Sequence, residues 1–233
     1  MLEIKSFGSG SSGNMYTVSD GESKIMLEAG ISIKRINTAL GFQTTNLAGV
    51  LLSHSHKDHS VAIKDLVRLG VDCYMSKGTA NELQINHHRI KCVEAKKTFR
   101  IGTFTILPFE VEHDTDTPFG YLIKSDNGSK LLFATDTYFI RYKFVGLNYL
   151  MLECNYCQSV LDANNKSGRL PKGLRQRIMK SHFSLENVLD FLRSNDLSCL
   201  QEIWLLHLSD SNSDEQLIRD EVAKVTGKMI HIP

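Results

Sequence analysis

With 233 residues, 42% of them hydrophobic and 23% charged, the chain can bury one large core, and a single domain over residues 1–233 is expected. No apolar run approaches the roughly 20 residues that cross a bilayer, so a membrane-spanning helix is excluded. A formal net charge of +1 excludes a global basic field for wrapping long nucleic acid, so any phosphate binding must be local.

Alternating and apolar runs predict strands over Leu2 to Phe7, Met15 to Val18 and Ile25 to Leu27, separated by the glycine-rich loop Gly8 to Gly13 and a turn at Asp20-Gly21. A helix over Ser32 to Leu40 leads to the apolar strand Gly49 to Ser53, which runs directly into His54-Ser-His-Lys-Asp-His59. Helical periodicity follows over Val61 to Leu69, then a strand over Cys73 to Met75 and a helix over Thr79 to Ile85. The next stretch reads as strands over Thr98 to Ile101, Phe104 to Val111, Tyr121 to Ser125 and Lys130 to Ala134, with Asn127-Gly128 as a tight-hairpin signal between the last two. Beyond them come a strand over Tyr149 to Leu152, helices over Ser159 to Ala163, Leu174 to Met179 and Leu185 to Ser194, a strand over Ile203 to Leu206, a helix over Asp214 to Val225 and a strand over Met229 to Ile232. The expected class is α/β: two mixed sheets packed face to face with helices outside.

The opening segment MLEIKSFGSGSSGN lacks a basic region followed by an apolar stretch, and a cytoplasmic location is expected. The five cysteines are an odd number, which argues against a disulfide framework. Cys154 and Cys157 form a C-x-x-C, but no second ligand pair is evident for a structural zinc.

Chemistry concentrates in His54-x-His56-x-Asp58-His59, where three imidazoles and a carboxylate within six residues supply nitrogen and anionic oxygen donors suited to zinc, manganese or iron. One loop cannot close two metal sites, so further donors must come from other strand ends. His113 in EVEHDTD, Asp136 in LLFATDT and His207 in WLLHLSD each stand where an apolar strand turns polar, the position at which ligands can converge on one sheet edge.

The succession HSHKDH, EVEH, FATDT and LLHLSD resembles the metallo-β-lactamase superfamily over nearly the whole chain. The resemblance implies an αββα sandwich and two divalent metal ions, zinc or manganese. It implies that His54, His56 and His113 hold one ion, that Asp58, His59 and His207 hold the other, and that Asp136 bridges them, with Asp58 counted among the catalytic residues. Metal ions so placed activate water and stabilise substrate oxygens.

Chain length disfavours several branches: 26 residues follow His207, fewer than the helical substrate domain of glyoxalase II enzymes needs, and no β-CASP insertion or projecting arm of tRNase Z fits. Asp136 occupies the position at which true lactamases carry a bridging cysteine. Glu153 in LMLECN and His182 in KSHFSLENV fall where phosphodiesterase members such as tRNase Z carry a proton-donating pair, which implies that Glu153 keeps His182 protonated and aimed at a leaving oxygen. The loop GSGSSGN is similar to that of the small stand-alone WalJ-like group of bacteria and phages, and backbone N–H groups there with Ser12 and Asn14 offer an anion contact. Arg175 and Arg177, within a basic stretch from Lys166 to Lys180, are candidate substrate contacts, although a solvated helix face explains them equally. Two departures from the group stand out: Glu28 in MLEAG replaces a common aspartate, and Tyr138 follows Asp136-Thr137 in place of a common glycine.

The reading is a two-metal phosphodiesterase acting on nucleic-acid ends or on small, including cyclic, nucleotides. Its expected partners are a nucleotide or single-stranded nucleic acid, with no membrane and with a homodimer as the commonest assembly. A same-fold hydrolase of carbon esters, lactones or thioesters and a non-catalytic binding protein are the alternatives.

Overall fold

The computed structural model describes all residues from Met1 to Pro233. The chain forms two compact units, one of residues 1–110 with 115–129 and the other of residues 111–114 with 130–233. No helix is long and apolar enough to cross a membrane.

In the first unit, β1 (Glu3–Gly8), β2 (Met15–Ser19) and β3 (Lys24–Leu27) form an antiparallel meander. Parallel strands β4 (Gly49–Leu51), β5 (Cys73–Met75) and β6 (Ile90–Cys92) extend it to a six-stranded mixed sheet in the order β1-β2-β3-β4-β5-β6. Helices α1 (Ile33–Ala39), α2 (Lys57–Ser60), α3 (Ile63–Arg68) and α4 (Lys77–Glu82) connect these strands. Met26, Val50, Leu52, Ile63, Leu66 and Met75 are buried together in the core of this unit, because the strands alternate their side chains and the short helices turn one apolar stripe inward. A second set, β7 (Phe99–Ile101), β8 (Phe104–Glu110) and β9 (Phe119–Ser125), is antiparallel.

In the second unit, β10 (Lys130–Ala134), β11 (Tyr149–Glu153), β12 (Glu202–Leu206) and β13 (Met229–His231) run parallel. The strand YLMLE is buried throughout, as expected of a central parallel strand with no solvent face. Helices α5 (Gln158–Lys166), α6 (Lys172–Ser181) and α7 (Leu185–Ser194) precede β12, and α8 (Glu215–Thr226) joins β12 to β13. Ser184 caps α7 by accepting from the Asn187 amide at 3.1 Å, and Asp214 caps α8 by accepting from Leu217 at 3.0 Å.

Most expected elements are present with shifted ends. The helix expected over Val61 to Leu69 is present in shorter form as α3, and a separate helix that was not expected, α2, takes in Lys57, Asp58 and His59 of the histidine motif itself. The helix expected from Thr79 begins two residues earlier, because Ser76 accepts from the Thr79 amide at 2.9 Å and fixes the first turn. β6 was not expected: IKC is short and partly exposed, and it becomes a strand only by pairing with β5. The Asn127-Gly128 turn forms as a three-residue loop, with the Ser125 amide donating to the Ser129 carbonyl at 3.0 Å and Gly128 at φ 91°.

Two constraints hold the first unit. Asp20, at the β2–β3 turn, accepts from the Thr103 and Ser125 hydroxyls at 2.6 Å each and from the Ser23 and Glu22 amides at 2.9 and 3.1 Å. Partial burial alone would raise its pKa, but these donors more than offset that and bring it down to about 2. Gly30 is the other: a Cβ there would lie 1.6 Å from the carbonyl oxygen of Asp58, so only glycine lets the two backbones approach.

A depressed carboxylate pKa stabilises the fold above its ordinary value of 3.8, and this contribution is lost as pH falls toward about 2. Asp20→Asn is expected to cost about 1–3 kcal/mol near neutral pH and to flatten the acid limb of the stability curve, measured by urea denaturation across that window. Gly30→Ala is expected to displace the Asp58–His59 turn and to lower metal retention at least about tenfold, read by metal analysis of folded protein; unchanged retention would refute the close-approach argument.

Candidate metal centre

The first unit presents His54, His56, Asp58 and His59 immediately after β4. The three imidazoles cluster, with ring centroids of His54 4.8 Å from His56 and 4.2 Å from His59. The chain is held in this shape by its neighbours rather than by its own propensity. The Asn14 amide donates to the Asp58 carbonyl at 2.7 Å, and the Ala29 amide donates to the His59 carbonyl at 2.6 Å. The Ser60 hydroxyl closes the loop on the Ser55 and His56 carbonyls at 2.7 and 2.9 Å.

Side chains are fixed as firmly as the backbone. His59 Nδ1 faces Glu28 Oε2 at 3.3 Å, while its Nε2 meets the Asn14 side-chain amide nitrogen at 3.1 Å and lies 3.4 Å from Asp58 Oδ2. Glu28, wholly buried, also accepts from the Ser53 amide at 3.2 Å. A carboxylate at Nδ1 and an N–H donor at Nε2 select the tautomer that keeps the lone pair on Nε2. His54 Nδ1 is engaged by the Ser53 hydroxyl at 2.8 Å.

The second unit presents His113, Asp136 and His207, with Glu153 and His182 beside them. His113 Nδ1 donates to the Ser181 carbonyl at 2.9 Å, which leaves the Nε2 lone pair facing Asp114 Oδ1 at 3.2 Å and Asp136 Oδ2 at 3.8 Å. An imidazole nitrogen facing carboxylate oxygens is a nitrogen and anionic oxygen donor set of the kind that holds a cation, and His59 Nε2 beside Asp58 Oδ2 gives the same donor types in the first unit. The donor chemistry of both sets therefore fits divalent metal. His207 Nδ1 lies 2.7 Å from Asp136 Oδ1 and 3.3 Å from Glu153 Oε1.

Donor atoms of Asp136, Glu153, His182 and His207 all lie within 4.8 Å of one another. Glu153, fully buried at the end of β11, accepts from His182 Nδ1 at 2.5 Å and from the Thr137 and Phe183 amides at 3.0 and 3.1 Å. Burial alone would raise the Glu153 pKa, and Asp136 adds to that, but the His182 charge and the hydrogen bonds from His182 and His207 bring it below the usual carboxylate range. Burial likewise works against a charged His182, yet Glu153 and Asp136 together lift its pKa above the ordinary value.

Three buried residues at strand ends adopt left-handed backbone conformations: Glu28 at φ 63° after β3, Asp136 at φ 46° after β10 and His207 at φ 55° after β12. Such strain costs on the order of 1–3 kcal/mol per residue and is tolerated where surrounding contacts impose it.

The remaining candidates are placed less uniformly. Asn14 is buried, and its side chain bonds Gly10 at both ends and reaches the Asp58 carbonyl at 3.2 Å, so it braces the His54–His59 loop. Ser12 is exposed on the preceding turn. Arg175 is engaged by Asp162 Oδ1 through two nitrogens at 3.0 and 2.7 Å, tying α6 to α5. Arg177 lines an open groove of about 630 Å³ with His113, Asp114, Tyr138 and Lys180. Cys154 is buried, and burial pushes its thiol well above the ordinary range and raises that of Cys157, which opposes a thiolate role for the pair. Sequence reasoning missed the bracing roles of Asn14, Ser53 and the Ser181 carbonyl; only the altered MLEAG pattern drew attention to Glu28.

Among known proteins, the chain is 29% identical over 241 residues to exodeoxyribonuclease YycJ of Bacillus anthracis, covering 96% of this chain and 89% of that one. It is 27% identical over 226 residues to exodeoxyribonuclease WalJ of Streptococcus pneumoniae, covering 90% and 82%. The crystal structure of the metallo-β-lactamase fold protein YhfI from Bacillus subtilis superposes with a TM-score of 0.76 at 16% identity, covering 100% of this chain and 96% of that one, which shows the fold. Residues 24–194 match the family model described as the Beta-lactamase superfamily domain, more than half of the chain, and the chain belongs to that family.

Proposed function

We propose that this chain is a metal-dependent phosphodiesterase, a single functional domain over residues 1–233 that hydrolyses nucleic-acid ends. Two divalent ions, zinc or manganese, would be held by His54, His56 and His113 at one position and by Asp58, His59 and His207 at the other, with Asp136 shared. The observation that carries the reading is the Glu153–His182 pair within 4.8 Å of Asp136 and His207. Hydrolysis of a carbon ester needs no imidazolium there, whereas departure of an alkoxide from phosphorus is helped by a positioned acid. Relatives named as exodeoxyribonucleases favour a nucleic-acid end over a cyclic nucleotide.

When bound, the ions supply Lewis-acid activation of water and neutralisation of charge on the phosphoryl oxygens. The protein's own residues do the rest. Glu153 Oε1 holds the proton on His182 Nδ1, which leaves Nε2 as the nitrogen that delivers a proton to the leaving oxygen. The Thr137 and Phe183 amides on Glu153 Oε2 keep the carboxylate from turning away. His182 retains 22% side-chain exposure, so its side chain is not sealed in the core as Glu153 is. Asn14 and Glu28 orient His59, and the Ser181 carbonyl orients His113.

Metal analysis of protein purified without chelator is expected to show close to two ions per chain, with cleavage of bis-p-nitrophenyl phosphate and of DNA ends. Asp136→Ala is expected to lose both metal and cleavage. His182→Ala is expected to keep its metal while phosphodiester cleavage falls about 10²–10⁴-fold. Full activity in that variant, or turnover of thioesters and lactones without phosphodiester cleavage, would replace this reading with the carbon-ester one.

A further inference from the structure

Beside His113 the second unit carries a groove whose chemistry the metal centre does not use. Its lining includes Tyr138 and, from α6, Arg177, Met179 and Lys180. Tyr138 and Met179 are exposed by 38% and 36%. The backbone of Tyr138 is held on both sides. Its amide donates to the Glu112 carbonyl at 3.2 Å, and its carbonyl accepts from the Asn187 side chain at 3.2 Å. Next to it the Thr137 hydroxyl accepts from the Glu112 amide at 3.0 Å and donates to the Phe139 carbonyl at 2.9 Å. The turn is thus anchored on both flanks, and an aromatic side chain with only two χ angles loses little freedom on meeting a ligand.

We infer that this groove is a subsite for the nucleotide flanking the scissile phosphate, in which Tyr138 stacks on the base, Met179 covers it, and Arg177 with Lys180 holds the adjoining backbone phosphate. The subsite rests on the phosphodiesterase reading above. An aromatic ring and an apolar thioether lining one groove suit a flat, apolar-faced heterocycle of any sequence. Two cations three residues apart on one helix suit a phosphodiester beside it. Arg177 Nε lies 3.6 Å from Asp114 Oδ2, too long for a strong hydrogen bond, so a phosphate can recruit the guanidinium without breaking a tight pair. Asp114 Oδ1 in turn lies 3.2 Å from His113 Nε2, which ties the subsite to the metal ligand set. Stacked bases must be splayed from their complement to enter, so the substrate class is a single strand or a frayed end, not an intact duplex.

The test uses the full-length, metal-loaded protein and a short single-stranded DNA with phosphorothioate linkages and a terminal 2-aminopurine. Binding is followed by anisotropy and stacking by 2-aminopurine fluorescence. Wild type and Tyr138→Trp are expected to bind and to quench the fluorophore, whereas Tyr138→Leu is expected to lose the quenching and to bind about tenfold or more weakly. Arg177→Ala is expected to weaken binding and to reduce its salt dependence. Quenching and affinity unchanged in Tyr138→Leu, or a wild type that does not bind the single strand, overturns the subsite. Cleavage of bis-p-nitrophenyl phosphate by the wild type is scored separately: its absence alongside Tyr138-dependent stacking overturns the phosphodiesterase reading and leaves the base-stacking platform standing.

Discussion

Burying a carboxylate costs several kcal/mol unless the charge is paired and hydrogen-bonded, and both units of this protein are organised around carboxylates buried in that way. In the first unit Glu28 is wholly buried and is met by the Ser53 amide and the His59 ring. In the second, Glu153 is wholly buried and gathers two amides and two imidazoles. The pairing dictates where the histidines stand, which tautomers they hold and how the strand-end loops must turn. Most of the donors are backbone amides and imidazoles at the ends of short strands, so the chemistry and the fold share the same contacts.

That sharing carries a conformational cost. Glu28, Asp136 and His207 occupy left-handed backbone conformations that residues with a Cβ adopt reluctantly. Each lies just past a strand that is buried along most of its length, so the strand cannot shift to relieve it. The result is side chains held stiffly against carbonyls and carboxylates, with little freedom to lose when a cation or substrate arrives. Gly30 serves the same end by allowing the backbone of Asp58 to approach where no Cβ fits.

The rim of the second unit is built on another principle. There the Asp136–Phe139 turn is anchored by the Thr137 hydroxyl and by backbone bonds, but its aromatic side chains face outward, with Phe139 53% exposed. Helix α6, whose residues line the same groove, is tied to α5 by the Arg175–Asp162 pair and leaves its other cations toward solvent. A stiff donor set thus stands beside a basic and aromatic rim, and in the proposed reading the first acts on phosphorus while the second selects what is delivered to it.

Much of this is written in the sequence. The His-x-His-x-Asp-His run needs only its spacing to be recognised as a donor set, because few other functions place three imidazoles and a carboxylate so close together. Apolar runs leading to Asp136, Glu153 and His207 mark the ends of parallel strands, since a strand buried on both faces is continuously hydrophobic and turns polar only where it ends, while His113 follows the antiparallel strand β8. What tertiary structure alone decided is which partner each polar group meets. Asn14 has the composition of a loop residue able to contact an anion, and it instead braces Asp58 and His59 from 44 and 45 positions away in the chain. Arg175 and Arg177 are indistinguishable in a basic stretch until the helix turns one toward Asp162 and the other into the groove. Strand β6 has too few residues to declare itself and exists because β5 offers it an edge. Spacing along the chain encodes local periodicity and donor type, whereas tautomer, backbone strain and the choice between brace and ligand depend on contacts between distant segments that no local pattern specifies.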